Sequence, residues 1–436
     1  MRATLSCVMR RVGFAAALLT TSALVASGQI PNASPAAFAM GGNYTALARG
    51  YEAVAWNPAN LAMPGRPFLS LGTGIVGGTV GMDPVDFTML HGFSGQIVDS
   101  ATRVSWIDLV KASGRQRARI DGGVTPLALS VGPVGFQIGA SLYTNVDLSA
   151  DAFEAVMFGN AGNNGGQAKT LDLAGTGISM GVIGGAAMSF AFPLPIKLSA
   201  GILANEHAAI GITGKYVFGN ALIIAQDNGS SLGASSLQLD FPVIGPDSSY
   251  DGLLGVGTGA DLSFAWSGGA WRVGILAENV FNSFKWDTTK LSYTAGTGFY
   301  NKDSSATNFD DLPYGSAPQA LREKVAGQQF KPAINIGAAF KVTDFLTVTA
   351  DMHQQMGGED VITLGPKSRV GVGAELRIIP FIPLRAGVAS VTDGWQAGAG
   401  FGVRLLGYEL GVSGSIRRRG AANESGVMIG LVGFGH

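Results

Sequence analysis

Catalysis needs acids, bases or nucleophiles held at fixed spacing, and this sequence offers few such sets. Its four histidines, His91, His207, His353 and His436, stand far apart, with no HExxH pair and no other two-ligand metal spacing. His353 follows Asp351 by two residues on a stretch that alternates polar and apolar positions, which reads as solvated lining of a polar strand face rather than a catalytic pair. Gly-x-Ser-x-Gly occurs at 177–181 around Ser179 and at 229–233 around Ser231. A nucleophile elbow requires a strand before the serine and a helix after it, and no helical periodicity follows either serine. Asp303, Asp310 and Asp311 lack the glycine and glutamate register of a calcium loop. The expectation is a protein with no catalytic residue, no metal and no cofactor.

The charges that recur do so on alternate positions. Arg272, Glu278, Arg369, Glu375, Arg377, Arg385, Arg404, Glu409 and Arg417 all fall on the polar side of alternating stretches, six arginines against three carboxylates. Two chemistries are open to them. Unpaired arginines, with Arg369, Arg377, Arg385 and Arg404 as the candidates, can hold the carboxylate of an acyl chain by bidentate hydrogen bonds. The same residues can instead form cross-strand ion pairs that stiffen a closed wall. "GRQRARIDGG", Gly114 to Gly123, adds Arg115, Arg117 and Arg119 after the amphipathic "WIDLVKAS" and reads as helix and turn inside a lumen or at its rim.

The elements that carry these charges are strands. In "RVGVGAELRI", Val370, Val372, Ala374, Leu376 and Ile378 share one face, while Arg369, Glu375 and Arg377 share the other. "FLTVTADMHQQ", "WQAGAGFGVRLL" and "LGYELGVSGSIRR" repeat the pattern, and period two over such lengths means one apolar and one polar face. A soluble sandwich buries the apolar face, whereas a membrane barrel turns it to lipid. Runs of 10–13 residues exceed the ~5–6 of soluble strands and suit a tilted span of ~9–11. In "WRVGILAENVF", Trp271 and Phe281 share a face ten residues apart, roughly 33 Å along a strand at ~3.3 Å per residue, which matches two aromatic girdles. Tight connections at 267–270, 341–344 and near Gly407 contrast with the long segment Asn282–Gly327. Fourteen strands are predicted, near 66–76, 122–132, 134–144, 170–191, 196–220, 251–266, 270–284, 328–341, 343–355, 366–379, 382–390, 394–406, 407–418 and 424–434.

Composition supports this all-β, transmembrane antiparallel barrel. Charged residues make 14% of the chain, against ~25% in soluble domains, and 65 of 436 residues are glycine. A net charge of −1, with Arg417–Arg419 as the only notable like-charge run, gives no support to nucleic-acid binding. Residues 1–28 read as a signal peptide, with Arg2, Arg10 and Arg11 before an apolar Val12–Val25 and small residues before Gln29. Cys7 is the only cysteine and precedes that apolar region, so the mature chain carries no thiol. The uncharged stretch Gly177–Ile196 holds prolines and several glycines and reads as strand and turn, not as a spanning helix. An exported apolar chain without spanning helices has the closed barrel as its membrane solution, so the outer membrane of a Gram-negative-type bacterium is the expected location.

One segment fits none of this. "AVAWNPANLA", Ala53 to Ala62, is too apolar for an exposed linker, and Pro58 disqualifies it as helix interior or central strand. The wider "MGGNYTALARGYEAVAWNPANLA", Met40 to Ala62, resembles the N-terminal segment of the long-chain fatty-acid transporter family of outer-membrane barrels, in which a glycine- and alanine-rich stretch leads to an Asn-Pro-Ala motif, here Asn57, Pro58 and Ala59. A similar signature occurs in type IX secretion barrels and in uncharacterised predicted outer-membrane proteins, which look closest. The resemblance implies a hatch folded inside the lumen (residues 29–65) ahead of the barrel (66–436). The final "ESGVMIGLVGFGH" resembles the C-terminal signal read by the barrel-assembly machinery, although it ends in His436 rather than an aromatic residue. The expected function is passive transport of a hydrophobic or amphipathic, fatty-acid-like small molecule, with outer-membrane lipid around the barrel. The alternative is a surface barrel that binds protein partners, with Asn282–Gly327 as its docking loop.

Overall fold

The computed structural model describes residues 34–159, 167–199, 203–357, 362, 365–392, 394–419 and 422–435; the signal peptide expected at 1–28 and His436 lie outside them. Fourteen antiparallel strands form one closed barrel: β1 Leu69–Asp83, β2 Arg115–Val131, β3 Val134–Ser149, β4 Gly177–Leu194, β5 His207–Gln226, β6 Gly255–Gly268, β7 Trp271–Asn282, β8 Ala333–Lys341, β9 Leu346–Gln355, β10 Ser368–Ile379, β11 Ile382–Val391, β12 Gly394–Leu405, β13 Tyr408–Arg419 and β14 Ala422–Phe434. Each strand pairs with the next, and β14 returns to β1 with Thr73 opposite Val432 and Ile75 opposite Gly430. Closure removes every open edge, the requirement for spanning lipid with strands.

The two faces separate as the alternation predicts. On β10, Val370 and Val372 are 57% and 55% exposed, whereas Arg369 and Glu375 are 5% and 7% exposed. Phe190, Ile212, Leu262, Ile336, Met352, Val388, Leu410 and Ile429 carry the apolar exterior around the barrel. One end has short turns, among them Gly132-Pro133, Gly269-Ala270 and Leu406-Gly407. Both central residues of the last turn are left-handed (φ 53° and 85°), the twist a two-residue hairpin needs. Aromatic rings collar this end, with Trp271 against Phe340 at 4.6 Å between centroids and Tyr408 against Phe434 at 5.1 Å.

Two expectations need correction. Trp271 and Phe281 do both face outward, but a bulge intervenes: Leu262 pairs with Ala277 and Ala260 with Phe281, so two residues of β7 add no rise. The span between the two rings is therefore closer to ~26 Å than to ~33 Å. Asn279 takes φ 50° there, its N–H donates to Asp261 Oδ1 at 2.7 Å, and Lys215 Nζ donates to its Oδ1 at 2.7 Å. The second correction concerns "GRQRARIDGG", which is the start of β2 and not helix and turn. Its own alternation is a strand's: Gln116 is buried and clasps the backbone of Val85 through both ends of its amide, while Arg115 and Arg117 point to solvent and lie within 3.5–3.8 Å of Asp83 and Asp147. The preceding "WIDLVKAS" does lie in a helix, Ser100–Ser113.

The opposite end is heavily built. Helices Ser100–Ser113 and Ala150–Phe158 bury Trp106, Ile107, Val110 and Phe153 between them. Buried Glu154 accepts Lys111 and Lys169 at 2.8 and 2.9 Å. The segment 283–332 folds back over the mouth, placing Phe284, Trp286, Leu321 and Val325 against Tyr143, Ile183, Leu222 and Ile224 of β3–β5. Tyr143 fixes it by donating to Gln328 Oε1 at 2.8 Å.

Candidate functional site

The candidate site grows from the segment that precedes β1. Ser34 caps a short helix, Pro35–Ala39, by accepting the Ala37 N–H, and Asn57 caps the turn Pro58–Ala62 by accepting the Ala59 N–H at 3.2 Å. Glu52 ties the segment to itself: Ser34 Oγ donates to its Oε1 at 2.5 Å and Tyr44 OH to its Oε2 at 2.6 Å. Trp56 meets Tyr44 edge-on at 6.0 Å. Asn57, Pro58 and Ala59 are all buried, which is how so apolar a stretch escapes water.

The partners of this segment are the inward faces of the wall. Asn57 Nδ2 donates to the Phe264 carbonyl at 3.1 Å, and Ser263 Oγ accepts the Ala59 N–H at 2.9 Å. Asn43 Nδ2 reaches the carbonyls of Val372 at 3.0 Å and Val388 at 3.3 Å. Asp351 Oδ1 accepts the Thr45 N–H, Thr349 Oγ1 donates to the Asn43 carbonyl, and Gln396 Nε2 donates to the Gly41 carbonyl at 2.6 Å. Glycine makes this approach possible. A Cβ at Gly387 would land on the Met40 backbone, and one at Gly274 would stand 2.5 Å from Asn57 Nδ2.

Asp351 and His353 are thus buried rather than solvated, and they bond to different partners. Asp351 is buried on the Thr45 amide, and His353 Nδ1 shares a hydrogen bond with Asn335 Oδ1 at 2.8 Å while Asn335 in turn donates to Glu278. Asp351 meets the segment directly and His353 is buried beside it on the wall, surroundings that strand alternation alone does not distinguish from wet lining. Ser179 sits inside β4 and Ser231 in a two-residue strand, Ser231–Leu232, so no helix follows either serine.

The four candidate arginines do not form one site. Glu375 accepts Arg377 at 2.6 Å and Arg385 at 2.8 Å, and Glu409 accepts Arg385 at 2.7 Å and Arg404 at 2.5 Å. This five-member chain crosses β10, β11, β12 and β13, as the ion-pair reading of these residues expects. Arg369 stands apart, eight residues up β10 from Arg377, or ~26 Å along the strand. Its guanidinium is buried, lies 6.0 Å from the Trp56 ring, and among the described residues gives Nε and Nη2 no hydrogen-bond partner. It borders a cavity of about 50 Å³ shared with Ser34, Gly42, Trp56 and Gln396. That volume accommodates a water or a carboxylate oxygen. Asn43, Thr45, Glu52, Ser263 and Gln396, which hold the segment in place, carry no motif of their own; only their polarity within apolar surroundings marks them.

No protein-family model and no curated protein matches this chain. Solved structures similar to it include the toluene transporter TodX of Pseudomonas putida, at 11% identity with 95% of this chain and 98% of that one covered and a TM-score of 0.48. A FadL homologue of Pseudomonas aeruginosa is similar at 11% identity, 95% and 100% coverage and a TM-score of 0.42, and the monoaromatic hydrocarbon channel CymD at 11%, 93% and 98%, with a TM-score of 0.43.

Proposed function

We propose that this protein is a passive outer-membrane channel for hydrophobic or amphipathic, fatty-acid-like small molecules, with residues 29–65 as its hatch. The observation that carries the reading is the hydrogen-bonded seating of 34–63 on lumen-facing groups of the wall. The same segment also packs on the wall, with Val54 against Ala187, Leu61 against Ala191 and Ala59 against Ala209 and Ala265, so it fills the lumen where it sits. The side chains packed between 283–332 and β3–β5 at the mouth are apolar and aromatic, a surface suited to an apolar solute over ions or sugars. Arg369, with two unpartnered nitrogens beside the hatch residue Trp56, is suited to the carboxylate of such a solute. Deleting Met40–Ala62 tests the reading: a folded barrel with raised, unselective permeability is expected, and unchanged permeability removes the hatch from the mechanism.

The partner-binding alternative rests on the same long segment. Much of 283–332 is turned into the mouth, but Phe299, Tyr300 and Phe309 remain exposed. Native mass spectrometry of gently extracted protein separates the two: a bound acyl-chain mass supports the channel, and a stoichiometric protein with an empty lumen supports docking.

A further inference from the structure

On the short-turn side of the N-terminal segment lies a second, larger cavity of about 290 Å³. Its cations are Arg49, Arg272, Lys341, Arg377 and Arg404, and its carboxylates are Glu52, Asp344 and Glu375, an excess of two positive charges. The carboxylates are already engaged. Glu52 accepts Ser34 and Tyr44, Glu375 accepts Arg377 and Arg385, and Asp344 accepts Lys341 at 2.6 Å. The hydrogen bond and charge of Lys341 hold Asp344 below the usual carboxylate range, so this pair is spoken for at neutral pH. Arg404 is taken by Glu409, and Arg49 donates to the Gly65 carbonyl at 3.1 Å.

Arg272 is what remains. Its cross-strand neighbours are Ser267 and Ala339, too small and neutral to pair with it, and among the described residues it makes no hydrogen bond or ion pair. A guanidinium offers five donors in a fixed fork matched to a carboxylate or phosphate. Leu47, Phe345 and Ala270 give the same cavity an apolar side next to that fork.

We propose that this vestibule is a binding site for the anionic head of an amphiphile, a carboxylate held by Arg272 with its chain against Leu47 and Phe345. The proposal rests on the channel reading and deepens it: a solute that has passed the hatch meets a second anion site before leaving the barrel at the short-turn end. It differs from the Arg369 site in lying on the other side of the segment.

The test is calorimetric titration of the full-length protein in detergent with hexanoate, with hexanol as the uncharged control, for wild type, Arg272→Gln, Arg272→Lys and Arg369→Gln. Arg272→Gln should weaken one hexanoate site at least tenfold, Arg272→Lys should keep part of it, and hexanol should be indifferent to all three changes. The site at issue must survive Arg369→Gln. Hexanoate binding unaffected by Arg272→Gln, or lost only with Arg369→Gln, overturns the vestibule site, as does equal binding of hexanol. None of these readings depends on permeability, so failure of the hatch deletion to open the barrel strikes the channel reading separately.

Discussion

Replacing Asn57 by alanine is the sharpest test of how the N-terminal segment is held. Its side chain is fully buried and makes two bonds: Nδ2 to the Phe264 carbonyl at 3.1 Å, and Oδ1 from the Ala59 N–H at 3.2 Å. The first joins segment to wall and is worth about 1 kcal/mol; the second is a cap worth about 1 kcal/mol, but its N–H keeps Ser263 Oγ as a partner. The cap lies within the segment and is kept when the segment leaves, so the seating free energy falls by about 1 kcal/mol, which multiplies the unseated-to-seated ratio about fivefold at ~1.4 kcal/mol per tenfold. Single-channel recording in planar bilayers reads that ratio as open fraction. Ser263→Ala alone removes one bond and should raise the open fraction about fivefold. The double variant orphans the buried Ala59 N–H, so its effect should exceed the sum of the two by about 1–2 kcal/mol. An open fraction for Asn57→Ala within twofold of wild type, in a barrel that still folds, would refute the reasoning.

Gly387→Val should unseat the segment sterically, because the new Cβ falls on the Met40 backbone; Gly214→Ala, which meets open space, is the matched control. Uptake of a large antibiotic should rise for the first only, and equal uptake by both would contradict the close approach. Glu375→Gln removes the charge that Arg377 and Arg385 share, and breaking a buried pair costs about 3–5 kcal/mol. The urea midpoint for loss of the heat-resistant folded band should fall clearly, and an unchanged midpoint would show the ion-pair chain to be idle.

Each of the fourteen strands could be located because each has a lipid face and a lumen face, so alternation such as Val370/Val372 against Arg369/Glu375 shows where it crosses the bilayer. Legibility failed where a strand leaves the bilayer. In Arg115–Asp121 both faces meet polar surroundings, and alternation no longer shows as apolar against charged. The bulge at Asn279 was invisible because it depends on Asp261 and Lys215 from neighbouring strands. The Asn57-Pro58-Ala59 turn stood out through its local chemistry. Its seats did not, since Ser263, Thr349, Asp351 and Gln396 acquire meaning only when strands far apart in sequence present them to one surface. The surplus of arginine was countable in advance; which arginines have partners depends on distances across strands.

Five residues, 64–68, link the segment to the first residue of β1 at the short-turn end. Fully extended, that leash reaches only ~18 Å. On the hatch proposal, a departed segment would behave as a ligand captive to its own receptor, at an effective concentration in the millimolar range, indifferent to how much protein the membrane holds. Opening on such a leash would be self-terminating, each excursion ending by recapture without a partner to drive it.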